Sequence, residues 1–239
     1  MSVDLLAIGA HPDDVELGVG GLVRKSTSRG LGVAILDLTR GELATRGSVE
    51  ERQAEAEEAA RRLGVAKRVN AGLLDGCIAN TDQQRQAVIH RIRSFRPRVI
   101  VAPMTPDRHP DHDAAHGLVR DANFLAGLAR IKTDTPPHRA AHIYYYHPYD
   151  ENPGPAGLVI DISEHFEAKL DALRAYGSQF HNPGYEGRET FVASAAFWDL
   201  IQLRAAYWGR RIGVGYGEPL YTSEPIGLDL PPGLGDASS

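Results

Sequence analysis

The chain has 239 residues, 42% of them apolar and 24% charged, with a formal net charge of −5; that suits one domain with a substantial core. An acidic balance without a long basic run argues against a nucleic-acid partner, no apolar stretch approaches the ~20 residues of a membrane span, and the single cysteine, Cys77, excludes an internal disulfide. The start of the chain lacks the basic and long apolar regions of a signal peptide, so the expected location is the cytoplasm.

Taken in chain order, residues 3–9 (VDLLAIG) read as a buried strand and 15–29 as a helix. Residues 31–38 form a second apolar run. Residues 49–63 (VEERQAEAEEAARRL) carry small and apolar residues at helical spacing. Ser48 and Glu51 form a capping box at the start of that helix, and Gly64 supplies its stop. A short strand over 68–71, a helix over 83–95, a strand over 99–102 and a helix over 111–127 follow. Strands over 142–146 and 158–162, and helices over 164–175 and 191–210, complete the pattern. The residues after Tyr221 read as a loose end.

Strands alternating with helices predict a Rossmann-like, three-layer α/β/α fold around a mostly parallel sheet. In such sheets ligands bind beyond the carboxyl ends of the strands, where strand order reverses. With the order 3-2-1-4-5, the first and fourth strands are neighbours at that point. His11-Pro12-Asp13-Asp14 follows the first strand, and PDRHPDHDAAH (106–116) follows the fourth. Two His/Asp clusters about a hundred residues apart would therefore share one crevice. Gly18, Gly20 and Gly21 come too late, inside the first helix, for a dinucleotide loop; close helix–sheet packing is their expected use.

His11 and Asp14 fall one turn apart if the helix begins near Pro12, a residue suited to a first turn. Together they could hold a metal, with Asp13 directed to its water as a general base. The second cluster would supply a third ligand from His109, His112 or His116, and spacing does not choose among them. Two imidazoles and a carboxylate suit Zn²⁺ and also accept Fe²⁺, Co²⁺ or Ni²⁺.

AHPDDVELGVGG, LTRGELATRGSVEERQAEAEEAARRLG and RHPDHDAAH together resemble the LmbE-like (PIG-L) zinc deacetylases, which remove acetyl from N-acetylglucosaminyl conjugates. HIYYYH, ALRAYGSQF and GVGYGEPLYTSEPIGL resemble the N-acetylglucosaminyl-malate branch of bacillithiol biosynthesis. The resemblance spans about residues 3–227 and implies a single deacetylase domain over 1–227, with 228–239 as a flexible tail. It implies one Zn²⁺ per subunit on His11, Asp14 and His112, and Asp13 as base. His109 and Asp111 become a supporting pair that orients groups and shuttles a proton, and His116 an ordinary helix residue. It further implies a small sugar conjugate as substrate, with acetate and a free amine as products, and a homo-oligomer, often a hexamer among relatives. A different N-acetylated sugar, a mycothiol-pathway conjugate or a non-catalytic metal-binding protein are the alternatives.

One position departs from the pattern. A tyrosine expected at the start of the last long helix is Phe197 here, and Tyr185 is the expected replacement donor. Arg52 is the expected reader of the malate carboxylates, because its fork suits them, with Arg108 and Arg188 as further candidates. The loop over 177–190 is expected to be either a lid or a surface linker.

Overall fold

The three central strands of the main sheet, LLAIG, VAILD and VIVAP, are short apolar runs, as a parallel sheet covered on both faces requires, whereas the edge strand KRVN is mostly polar and charged. The computed structural model describes residues 2–148, 154–227 and 229, so that of the expected tail only Asp229 is included. β1 (Leu5–Gly9), β2 (Val33–Asp37), β3 (Lys67–Asn70), β4 (Val99–Pro103) and β5 (His142–Tyr146) form one parallel sheet in the order β3-β2-β1-β4-β5. Alternate side chains feed two cores. Leu5, Ala7, Val33, Ile35 and Val101 enter one; Leu6, Ile8, Ala34, Leu36 and Ile100 enter the other. The first core packs beneath α1 (Asp14–Ser28), α2 (Val49–Leu63), α5 (Phe166–Leu173) and α6 (Ala195–Arg211), the second beneath α3 (Asp82–Phe95) and α4 (Pro110–Ala126).

The predicted helix over 49–63 matches α2 residue for residue. Ser48 and Glu51 make the capping box, and Gly64 ends the helix with φ 73°, a conformation that favours glycine. Two elements differ from expectation. α6 starts at Ala195 rather than 191, because Ser194 Oγ accepts the Phe197 N–H and caps the helix there. Residues 158–161 form β6 (Leu158–Asp161), which leaves the main sheet and pairs antiparallel with an unforeseen strand, β7 (Gly217–Leu220).

The glycines of α1 serve packing. A Cβ on Gly18 would lie 2.0 Å from the Tyr146 ring, and one on Gly21 2.7 Å from Ile162. Between them Val19 departs from helical geometry (φ −140°, ψ 22°) and breaks α1 in two. The break exposes backbone donors, and β7 supplies an acceptor for them. Gly21 N donates to Glu218 Oε1 at 2.9 Å and Leu22 N to Glu218 Oε2 at 2.7 Å. Lys169 Nζ donates to the same carboxylate at 2.6 Å, and both side chains are buried.

Candidate metal centre

The carboxyl end of β1 and the start of α4 meet across the centre of the sheet, and the two His/Asp clusters meet with them. The His11, His109 and His112 ring nitrogens lie within 4.8 Å of one another. Asp14 sits among them in the first turn of α1. Its Oδ2 accepts the His11 backbone N–H at 2.8 Å and lies 3.5 Å from His11 Nδ1. Its Oδ1 lies 3.1 Å from His112 Nε2, yet this buried oxygen accepts no hydrogen bond among the described residues. Donors sharing a tetrahedral Zn²⁺ at ~2.0–2.2 Å stand roughly 3.3–3.5 Å apart. The donor set around Asp14 therefore fits a small divalent cation.

Both imidazoles are braced by carboxylates on the other ring nitrogen, the arrangement that fixes the tautomer of a metal-binding histidine. His11 Nε2 is shared by Asp75 Oδ1 at 3.0 Å and Asp111 Oδ2 at 3.2 Å. His112 Nδ1 lies 3.2 Å from Asp107 Oδ1. Burial opposes the charged form of His11, but hydrogen bonds to Asp111, Asp14 and Asp75 outweigh it and raise its pKa to about 12. His112 is likewise raised to about 9, with Asp14 and Asp107 overcoming burial. Asp75 is held at about 2, where the His11 and Leu43 hydrogen bonds overcome its burial.

Asp13 is the N-cap of α1, at φ 111° and ψ −27°, and makes no side-chain cap. A non-glycine residue in this region carries about 1–3 kcal/mol of strain. Burial pushes its carboxyl up to about 7, against the pull of Arg52. His109 caps α4, its Nδ1 accepting the Asp111 N–H at 3.2 Å. Burial and the His112 and His11 imidazoles lower its pKa.

Several predicted residues lie elsewhere than expected. Arg52 is buried and turned inward. It donates to Gly41 O at 2.8 Å, Pro12 O at 2.7 Å and Asp13 Oδ2 at 3.1 Å, so its fork is committed to Asp13 and two backbone carbonyls. Gly41 permits this: its φ is 67°, and a Cβ there would collide with the guanidinium. The Tyr185 hydroxyl accepts the Gly47 N–H at 3.1 Å and donates to Glu51 at 3.3 Å, which commits it to the start of α2 rather than to an oxyanion. Phe197 is buried against Phe180 and Phe191. Asp111 turns its carboxylate to His11, Gly76 N and Ile78 N rather than to the His109 ring. The loop over 177–190 is pinned at its start, with Ser178 on Glu55 and Gln179 on Arg46. Arg108 and Arg188 are exposed, the former with its guanidinium 4.8 Å above the Phe191 ring. His116 packs on Tyr145. Asp75 and Asp107 were not foreseen; Asp107, two residues before His109, is the one a motif reading could have found.

A groove of about 960 Å³ lies between α3, α4 and β5 and contains none of the clustered His and Asp side chains. Chemistry, not size, marks the site.

The family described as GlcNAc-PI de-N-acetylase (PIG-L) matches residues 6–123, a stretch that holds the whole cluster. The chain belongs to this family of deacetylases. The crystal structure of the conserved protein TT1542 from Thermus thermophilus is similar at 37% identity and a TM-score of 0.86, over 96% of this chain and 98% of that one. Diacetylchitobiose deacetylase of Thermococcus kodakarensis is 29% identical over 95% of this chain and 86% of its own. A probable N-acetyl-α-D-glucosaminyl L-malate deacetylase 2 of Bacillus anthracis is 28% identical over 74% of this chain and 81% of its own.

Proposed function

We propose that the protein is a metal-dependent N-deacetylase that hydrolyses the acetamide of an N-acetylglucosaminyl conjugate. The observation that carries this is the buried, unsatisfied Asp14 Oδ1 between two carboxylate-braced histidines, beside a strained carboxylate, Asp13, outside that set. His11, Asp14 and His112 would hold one divalent cation, proposed as Zn²⁺, which supplies Lewis-acid polarisation of the acetyl carbonyl and acidifies water.

The chain's own residues do the rest. Arg52 engages Asp13 Oδ2, and the other carboxylate oxygen takes the proton of the attacking water as its oxygen bonds to the acetyl carbon. His109 Nδ1 is occupied by a backbone N–H, so the neutral ring carries its proton on Nε2. That N–H donates to the developing oxyanion. The proton held on Asp13 passes to the nitrogen as the C–N bond breaks, which returns Asp13 to its carboxylate while His109 keeps its own proton. The products are acetate and a free amine. Asp111, Asp75 and Asp107 orient the imidazoles.

Relatives named for diacetylchitobiose and for the malate conjugate stand at similar identity. The malate conjugate, and with it bacillithiol biosynthesis, is one member of the proposed class, with Arg108 and Arg188 as the remaining guanidinium candidates. A homo-oligomer in the cytoplasm completes the reading; no described helix is long and apolar enough to cross a membrane.

Acetate release from N-acetylglucosaminyl substrates tests the proposal. Chelation should abolish it, added Zn²⁺ should restore it, and His11→Ala should lose both metal and activity. Full activity in protein shown by elemental analysis to be metal-free would overturn it. Bound metal with no turnover of any such substrate would favour a non-catalytic role.

A further inference from the structure

Helix α6 has two apolar lines, and the fold covers one of them. Phe197, Ile201, Ala205 and Trp208 are buried against the domain. On the outside run Ala196, Leu200, Leu203 and Tyr207, spaced four, three and four residues apart. Leu200 is 43% exposed, Leu203 65% and Tyr207 53%, and Ala196 is exposed with them. A single exposed leucine means little, but this spacing is that of the seam along which two helices pack. A helix that is apolar on two sides calls for a second partner.

The charges on the outer face say which partner. At about 100° per residue, Leu200 and Tyr207 lie together on one side of Leu203, and Asp199 and Arg210 lie together on the other, the members of each pair within about 20° of each other. In each pair one residue precedes Leu203 and the other follows it. A two-fold axis beside Leu203 sets a second α6 antiparallel to the first. It keeps each side of the seam facing the same side of the partner and reverses the ends. Leu203 then meets the partner's Leu203, Leu200 meets the partner's Tyr207, and Asp199 meets the partner's Arg210. Arg210 stands roughly 4 Å further from the axis than Asp199 at ~1.5 Å per residue, a distance its side chain spans. Each off-axis contact occurs twice, as a self-complementary interface requires. A parallel pair would instead set Asp199 against the partner's Leu200, a carboxylate against a leucine.

Both charges are free to pair in this way. Asp199 and Arg210 are exposed and form no ion pair among the described residues. Arg211 is different: its Nη1 donates to the Tyr207 hydroxyl at 3.3 Å, and its guanidinium stands 5.5 Å from the Trp208 ring, so it is held on its own helix.

We propose that the outer face of α6 is a self-association surface, on which a second copy of the chain seats its own α6 antiparallel, with Asp199 of each copy paired to Arg210 of the other. This rests on the homo-oligomer of the reading above, to which it gives a surface, and is independent of the reaction.

Sedimentation velocity of the full chain at low salt, from ~1 to ~100 μM, tests it. Wild type should associate. Leu203→Glu sets two carboxylates against each other at the two-fold axis and should weaken association about 10-fold or more. Asp199→Arg alone, and Arg210→Asp alone, each place like charges across the seam twice and should weaken it about 10-fold at low salt. An equimolar mixture of these two variants should regain wild-type association, because every facing pair in the mixed dimer is again of opposite sign. Misfolded variants could not give that recovery. Association unmoved by Leu203→Glu overturns the surface, as do charge-reversed variants whose mixture associates no better than either alone; both leave the homo-oligomer standing. A wild type that stays monomeric over the whole range overturns both.

Discussion

Asp13 takes its properties from two neighbours that pull in opposite directions. Burial raises its carboxyl, and the Arg52 guanidinium at 3.1 Å lowers it. Asp13→Asn should keep its metal, because the side chain lies outside the proposed ligand set, and should lose roughly 10²–10⁴-fold in kcat, the usual weight of general-base catalysis, if Asp13 is the base proposed above. Loss of stoichiometric metal in that variant would mean that Asp13 is itself a ligand. Arg52→Ala removes a charge-assisted hydrogen bond worth ~1.5–3 kcal/mol, so kcat/KM should fall about 10–150-fold for every conjugate alike. Without that cation the base deprotonates at higher pH, so the acid limb of the profile should move upward. Arg52→Lys should recover only part, since an ammonium cannot reach two carbonyls and a carboxylate in one plane. A loss confined to the malate conjugate would instead show Arg52 reading substrate. Sequence could identify Arg52 as important but not its target, because a guanidinium fork fits backbone carbonyls as well as it fits a substrate carboxylate.

Helix α1 carries the site on its first turn and is broken at Val19, and the Glu218 carboxylate closes that break. Glu218→Gln leaves Lys169 buried without its counter-charge. It should destabilise the fold by about 3–5 kcal/mol, whereas Lys169→Met with Glu218→Gln should cost less than the two single changes summed. Urea unfolding of the four proteins measures this, and strictly additive losses would mean that the pair is not coupled. Burial already lowers the Lys169 pKa, as expected of an ammonium held in the interior. The central strands of the main sheet were legible as apolar runs, and α2 by its period, capping box and terminal glycine. β7 was not: its sequence GEPL offers one large apolar residue, a proline and a buried glutamate whose partners lie in α1 and α5. β6 was legible as a strand but not as a member of a different sheet, because pairing partners are not written in local pattern.

At the scale of the whole molecule, the reversal of strand order between β1 and β4 brings residues distant in sequence into one cluster. That juxtaposition followed from the α/β alternation once the order 3-2-1-4-5 was assumed, and the observed order β3-β2-β1-β4-β5 agrees with it. What topology could not supply was the bracing of the imidazoles. Asp75 comes from the loop after β3, two strands from β1, and nothing in LLDG distinguishes its aspartate from an ordinary turn residue.

The same juxtaposition makes an ion at this site a cross-link. Bound by Asp14 on one side and His112 on the other, it would close a chain loop of roughly a hundred residues and staple the first β–α unit to the fourth. A chain with one cysteine has no disulfide for that task. Such a loop is costly to close in the unfolded chain and is already closed in the native one. A ligand at about a hundred times its dissociation constant adds ~2.7 kcal/mol, which for a chain of this size raises Tm by roughly 5–10 °C. Chelation should remove that increment and leave a folded protein that opens first at the β1–β4 seam, detected as faster backbone amide exchange in β4. An unchanged melting temperature and exchange pattern after complete removal of the ion would show that the two halves hold together without it.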